Sequence, residues 1–215
     1  MKSILLIGLG RFGRHMAIQF QKMNCEVLAV DDDEQRVNDV LPYVTSAQIG
    51  DSTNEQFIAS LGVRNFDVCV VAIGDNFQSS LETTALLKDN GARLVVARAN
   101  RDVHAKFLLR NGADEVVYPE KEMAVRAAVR FGADNVFDFI QLAGNISIYE
   151  TATPAAWVGK SIVDLQVRQR FRVHILAVKH GEETLPVPSA EYVFRDEDRL
   201  LLMGADADME KFLHF

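Results

Sequence analysis

The stretch ILLIGLGRFGRHMAIQF, residues 4–20, decides how this chain is read. An apolar run meets Gly8-Leu9-Gly10-Arg11-Phe12-Gly13, and those glycines open a helical pattern. A lone GxGxxG is a weak signal, because glycine is common. Here it follows a strand pattern and precedes a helix pattern, and an acid, Asp31, closes the next apolar run, EVLAV at 26–30. Each glycine then has a physical role. Gly8 makes the tight turn, Gly10 lets the backbone approach a pyrophosphate, and Gly13 lets helix and strand pack closely. The helix N-terminus presents unpaired N–H groups and a partial positive charge to the phosphates. Asp31 can accept both hydroxyls of a ribose. The run Asp31-Asp32-Asp33 would repel a 2′-phosphate, which disfavours NADP.

Apolar runs and helical patterns alternate outward from this motif. Strands are predicted over 3–7, 26–30, 44–49, 67–73, 94–98 and 115–118. They are short, β-branched and apolar, as strands buried on both faces tend to be. Helices are predicted over 11–23, 34–40, 54–61, 76–90 and 102–110, and Gly62, Gly91 and Gly112 follow helical stretches where a left-handed cap is often needed. The alternation predicts an α/β, Rossmann-like doubly wound parallel sheet over residues 1–119. A further helix is expected over 120–131, and a short helix or turn over 134–142. From Ile146 the character changes to ISIYET, VHILAVKH, TLPVP, YVF and RLLLMG, with short helices near 161–166 and 206–214. That is a smaller α+β unit over 144–215, joined by 120–143, with a boundary near Ala143-Gly144-Asn145.

The chain has 215 residues, enough for one large domain or two small ones. A hydrophobic content of 48% and a charged content of 25% are ordinary for a globular protein. A net charge of −7 argues against nucleic-acid binding, which needs clustered positive charge. Cys25 and Cys69 lack metal-ligand spacing and read as reduced thiols of a cytosolic protein. No apolar run approaches the length of a membrane span, and no signal peptide is expected. A cytoplasmic location follows, with any membrane connection made through a partner.

Arg11 is the informative residue, because a cation in a helix's first turn opposes the macrodipole. A phosphate between the two would reverse that, and an extra cation suits a third phosphate. The other strand ends should face the same ligand. They carry Asp51 and Ser52, then Gly74, Asp75 and Asn76, then Arg98. Asp51 with Ser52 can contact an adenine edge, although Asp51, Ser52 and Thr53 are equally suited to cap the next helix, as Asn76 is for helix 76–90. Arg98 is harder to explain structurally, since a buried cation requires a partner. Met123, Ala127 and Phe131 form a stripe that normally faces a core. His104 is expected on an exposed helix face. No nucleophile–base pair, metal cluster or Ser/Tyr/Lys grouping is readable, and about 70 further residues are little material for a substrate domain. A non-enzymatic binding protein is favoured; the alternatives are a small NAD-dependent oxidoreductase and an NADH redox sensor.

GLGRFG, VLAVDDDEQRV, SLGVRNFDVCVVAIGDNFQSSLETTALLKDNGA and GADEVVYPEKEMA together resemble the regulator-of-potassium-conductance (RCK, or KTN) domain, in the form found in the gating subunits of Ktr-type potassium uptake systems. SIVDLQVRQRFRVHILAVKHG and DRLLLMGADADMEKF resemble its C-terminal (RCK-C) domain. The resemblance implies a homodimer assembling to a homo-octameric ring beneath a membrane-embedded potassium channel or transporter subunit. It implies ATP or ADP, or else NAD or NADH, in the N-terminal site, with the bound nucleotide changing the ring's shape. On that basis Arg11 reaches the terminal phosphate, Asp31 binds ribose, and Glu120 is a dimer-interface glutamate that takes part in divalent-cation binding. Helix 120–131 packs across the dimer. Some members bind cyclic di-AMP in the C-terminal domain; the comparable stretch holds Arg168, His174, Ile175 and Pro188, with His174 where asparagine is expected. Without the resemblance, Glu120 reads as an ordinary acid in a helix's first turn.

Overall fold

Alternate residues of β1 (Ser3–Ile7) enter two different cores: Leu5 and Ile7 pack on one face of a sheet, Ile4 and Leu6 on the other. This period of two with both faces apolar is what a strand covered by helices on both sides requires. The computed structural model describes residues 1–142 and 144–214. Its first compact unit is Met1–Glu120. After β1 it runs α1 (Arg11–Lys22), β2 (Glu26–Asp31), α2 (Glu34–Val40), β3 (Ser46–Ile49), α3 (Glu55–Ser60), β4 (Val68–Val71), α4 (Phe77–Asp89), β5 (Val95–Arg98), α5 (Asp102–Arg110) and β6 (Glu115–Val117). The six strands pair in parallel in the order β3-β2-β1-β4-β5-β6. The order reverses between β1 and β4, and that switch point opens a crevice outside the carboxyl ends of the strands. Side-chain caps start three of the helices: Asp33 for α2, Asn54 for α3 and Asn76 for α4. The cap of α3 is thus Asn54, one residue beyond the Asp51–Thr53 group expected.

Helix α6 (Pro119–Gly132) leads to the second compact unit, from Lys121 onward. It continues through β7 (Val136–Gln141), β8 (Ile146–Ala152), α7 (Ile162–Leu165), α8 (Val167–Phe171), β9 (His174–His180), β10 (Glu183–Pro186), β11 (Asp198–Ala205) and α9 (Asp206–Leu213). Its five strands form an antiparallel sheet in the order β10-β9-β11-β8-β7. Trp157 centres the core, with the Phe171, Phe194 and Phe212 rings 5.3–5.5 Å from it. Met209 and Phe212 of α9 are buried there, so the terminal helix closes this unit.

Several expectations are corrected. Residues 136–141, expected as helix or turn, form the edge strand β7. A bulge between Val136 and Asp138 breaks its alternation, so the buried Val136 and Phe139 stand three apart, a spacing that mimics a helix. The first compact unit ends at Glu120, next to the expected end of the sheet domain at 119, and residues from Lys121 onward group with the second unit. YVF at 192–194 contributes one isolated bridge, from Val193 to Ser161. Helix α8 went unpredicted. None of the residues of α6 is buried, and Met123 and Phe131 are 57% and 79% exposed, so its apolar stripe does not face a core. No helix among the described residues is long and apolar enough to cross a membrane.

Candidate nucleotide site

A cavity of about 600 Å³ opens at the switch point. Its floor is the turn after β1, where Gly8 takes φ +93° and donates its N–H to Val30 O at 2.8 Å. At Gly13 a Cβ would come within 1.9 Å of the Gly8 carbonyl oxygen, so helix and loop approach as closely as glycine allows. Gly10 differs from both. It has φ −60°, and a Cβ there would meet nothing within 4 Å. Nothing in the chain requires glycine at this position; a ligand lying against the backbone would. Helix α1 starts at Gly10 with no side-chain cap and no acid in its first turn. Arg11 stands there instead, exposed and lining the cavity.

The acids occupy the opposite end. Asp31 is 6% exposed; one carboxylate oxygen accepts from Leu9 N at 2.6 Å and the other from Asp33 N at 3.0 Å. It therefore ties the glycine turn to the end of β2 as well as facing the cavity. Hydrogen bonding to Asp31, burial and the Asp31 charge push the neighbouring Asp32 carboxyl up. Asp51 accepts from both Thr53 N and Thr53 Oγ1, which holds its carboxyl below the usual range. Ser52 is buried and shares a hydrogen bond with Thr83 at 2.8 Å, which fixes it to α4. Asn76 accepts from Ser79 N as the α4 cap while lining the cavity beside Gly74 and Asp75.

Arg98 joins these features. Its Nη2 donates to Glu120, its Cζ lies 5.4 Å from the centre of the Phe12 ring, and a Cβ on Gly74 would come within 2.6 Å of its Nη1. Its Nε is buried with no partner among the described residues. Burial works to raise the Glu120 carboxyl; a backbone hydrogen bond, the Arg98 hydrogen bond and the Arg98 and Arg11 charges outweigh it and hold Glu120 below its ordinary value. Of the site residues singled out in the sequence, Gly13 alone lies behind the cavity wall rather than in it. His15 and Arg36 line it too and were not predicted. His15 is four residues after Arg11, on the same helix face, and that spacing was the available signal.

His104 corrects another expectation, since it is fully buried rather than exposed. Asn100 Nδ2 donates to Gly74 O at 2.6 Å, so its Oδ1 faces His104 Nδ1 at 3.2 Å. Nδ1 then carries the proton, and Nε2 accepts from Ser80 Oγ at 3.2 Å. A neutral imidazole satisfies both contacts, and burial together with the Arg101 charge pushes its pKa down. Through this chain α4 and α5 hold the Gly74 loop against the cavity.

The arrangement suits anionic phosphates at the α1 end, beside Arg11 and Arg98, and a ribose at the Asp31 end. No group of three or more His, Cys, Asp or Glu among the described residues converges on a metal position. Arg168, His174, Ile175 and Pro188 fall on α8, the start of β9 and the segment after β10.

The TrkA-N domain model matches residues 4–119 and the TrkA-C domain model residues 146–215. The chain is 38% identical over 211 residues to the Ktr system potassium uptake protein C of Bacillus subtilis, covering 98% of this chain and 96% of that one. It is 39% identical to the Ktr system potassium uptake protein A of the same organism, covering 98% and 95%. Among solved structures, a GsuK channel superposes with a TM-score of 0.71 at 19% identity, over 98% of this chain and 38% of that one, which shows a shared fold.

Proposed function

The chain belongs to the TrkA-N/TrkA-C family, and from that premise we propose that it is the regulatory subunit of a Ktr-type potassium uptake system, reading an adenine nucleotide at the switch-point cavity. One observation carries the choice of ligand: Arg11 in the uncapped first turn of α1, with the unpartnered Arg98 Nε in the same cavity. A cation at a helix N-terminus costs about 0.3–1 kcal/mol. Phosphate oxygens there would turn that cost into attraction and give the Arg98 Nε–H an acceptor. ATP or ADP is the ligand on this reading, with NAD or NADH as its competitors. Glu120 beside the phosphates would be repulsive without a divalent cation between them, so the carboxylate is the cation's protein ligand. The role is regulatory, not enzymatic.

The assembly follows the family: homodimers through the exposed stripe of α6, rings of eight, and a cytoplasmic position at the inner face of the membrane held by a membrane-embedded potassium-transporting subunit. A ligand moves such a gate only by binding one ring shape better than another. A γ-phosphate held by Arg11 and by a second protomer would supply that difference. Cyclic di-AMP, the family's other ligand, would draw on Arg168, Ile175 and Pro188, with His174 in place of asparagine. Calorimetric titration with ATP, ADP, NADH and NAD, combined with light scattering for mass, tests the reading. Tight ATP and ADP binding by a ring is expected. A stable monomer indifferent to adenine nucleotides would refute it, and NADH displacing ATP would favour the redox sensor.

A further inference from the structure

The second unit holds a cavity of its own, about 560 Å³ in volume, between residues 132–136 and helix α9. Its acids are Asp134, Asp206 and Glu210, and among the described residues no lysine or arginine lines it. Val136 and Leu213 supply apolar wall. Asp206 is held in place by Ser147, whose Oγ donates to it at 2.6 Å.

The second observation is Tyr149. It is 9% exposed, its ring packs 4.9 Å from that of Phe139, and it lines the cavity. Its hydroxyl makes no hydrogen bond with the described residues. Burial, with the Asp206 and Glu210 charges beside it, pushes its pKa up. The ring is packed while the hydroxyl oxygen stays in contact with the cavity, where it is open to a ligand. Here the hydroxyl faces a negatively charged space in which an N–H donor would satisfy it.

A chelated metal ion does not fit. No three carboxylate or imidazole groups among the described residues converge on one point, and the volume far exceeds one ion. Carboxylates spread around apolar wall match a different chemistry: ammonium groups separated by methylenes. We propose that this cavity is a binding site for a short aliphatic polyamine, its ammonium N–H groups donating to Asp134, Asp206, Glu210 and the Tyr149 oxygen while its methylenes lie on Val136 and Leu213. The proposal is independent of the nucleotide reading of the first unit.

The test is calorimetry on the full chain, without added nucleotide and at fixed ionic strength, using spermidine, 1,4-diaminobutane, n-butylamine and magnesium chloride. Spermidine is expected to bind most tightly and magnesium weakly. An acidic protein attracts polycations in general, so the deciding variant leaves the charge unchanged: Tyr149→Phe should weaken spermidine about tenfold, the loss of one charge-assisted hydrogen bond. Glu210→Gln, an exposed position on α9, should weaken it at least as much, and it decides the matter if Tyr149→Phe also lowers the melting temperature. Glu182→Gln, exposed and outside the cavity, should change nothing. Spermidine affinity unaltered by Tyr149→Phe and Glu210→Gln, equal losses at Glu182→Gln, or magnesium binding tighter than spermidine would each overturn the proposal.

Discussion

Gly10→Ala separates the ligand from the fold. With φ −60° and ψ −172° the backbone at Gly10 is one that alanine adopts freely, and the added Cβ would meet no protein atom within 4 Å. The folded state therefore bears no strain, and stability should hold or rise by about 0.4–1 kcal/mol, because alanine restricts the unfolded chain. A pyrophosphate on the first-turn N–H groups would meet the same methyl directly. Backing it away forfeits one charge-assisted hydrogen bond, roughly 1.5–3 kcal/mol. At about 1.4 kcal/mol per factor of ten, ATP and ADP should both bind roughly 10- to 100-fold more weakly. Calorimetry for both nucleotides beside a thermal melt makes the comparison. Gly13→Ala is the contrast: its Cβ would meet backbone at 1.9 Å, so that variant should fail by losing stability. A Gly10→Ala protein that melts normally and binds ATP as tightly as the parent would refute the placement of phosphates at this turn.

Arg11→Ala should weaken ATP by roughly 10- to 100-fold and leave ADP and NAD little changed, since it removes a charge-assisted contact to the terminal phosphate alone; equal losses for all three would take Arg11 out of that role. His104 is held neutral in the fold, its pKa below the ordinary value near 6.5. The unfolded chain therefore takes the proton first, so its contribution is complete above about pH 7 and is lost as pH falls through the ordinary histidine range. The drop in melting temperature between pH 7.5 and 5.5 should shrink in His104→Leu, and an unchanged drop would contradict the neutral-ring assignment. Asp198 is 1% exposed and accepts from His180 Nδ1, Tyr192 Oη and Arg195 N. Asp198→Ala strands those donors and should cost about 3 kcal/mol or more in denaturant unfolding; a loss under about 1 kcal/mol would mean that water replaces the carboxylate.

The parallel sheet was legible because local signals agreed. β1, β2 and β4 are apolar on both faces, Asn76 caps the helix that follows it, and Gly91 takes the left-handed φ of +85° that a helix end asks for. In the second unit β8 and β11 alternate buried with more exposed residues, but other elements carry no such period. β7 carries a bulge, so its inward residues fall three apart. Helix α8 is five residues long, set between left-handed residues at Gln166 and Arg172, neither of them glycine. A chain that bends with glutamine and arginine leaves no glycine to read.

At the site, legibility stopped at the residues that would touch a ligand. Gly10, Arg11 and Arg98 declare themselves because each is costly or unnecessary without an anion, whereas Gly8, Gly13 and Asp31 are also needed by the turn itself. The contacts that hold Ser52 and the Gly74 loop in place do not declare themselves. Ser52 bonds to Thr83 and His104 to Ser80 and Asn100, across separations of 31, 24 and 4 residues. Those partners meet only once β3, α4 and α5 have stacked, so spacing along the chain carries no trace of the pairing at long range. The short-range pair, Asn100 with His104, stands four residues apart in the sequence, yet His104 reads there only as part of an exposed helix face. What turns it inward is Asn100, which commits its amide to the Gly74 carbonyl and leaves only its oxygen for the imidazole. The position of the Gly74 loop beside the cavity is therefore set by a histidine that does not line it, and what the fold fixes there is which nitrogen of a neutral ring holds the proton.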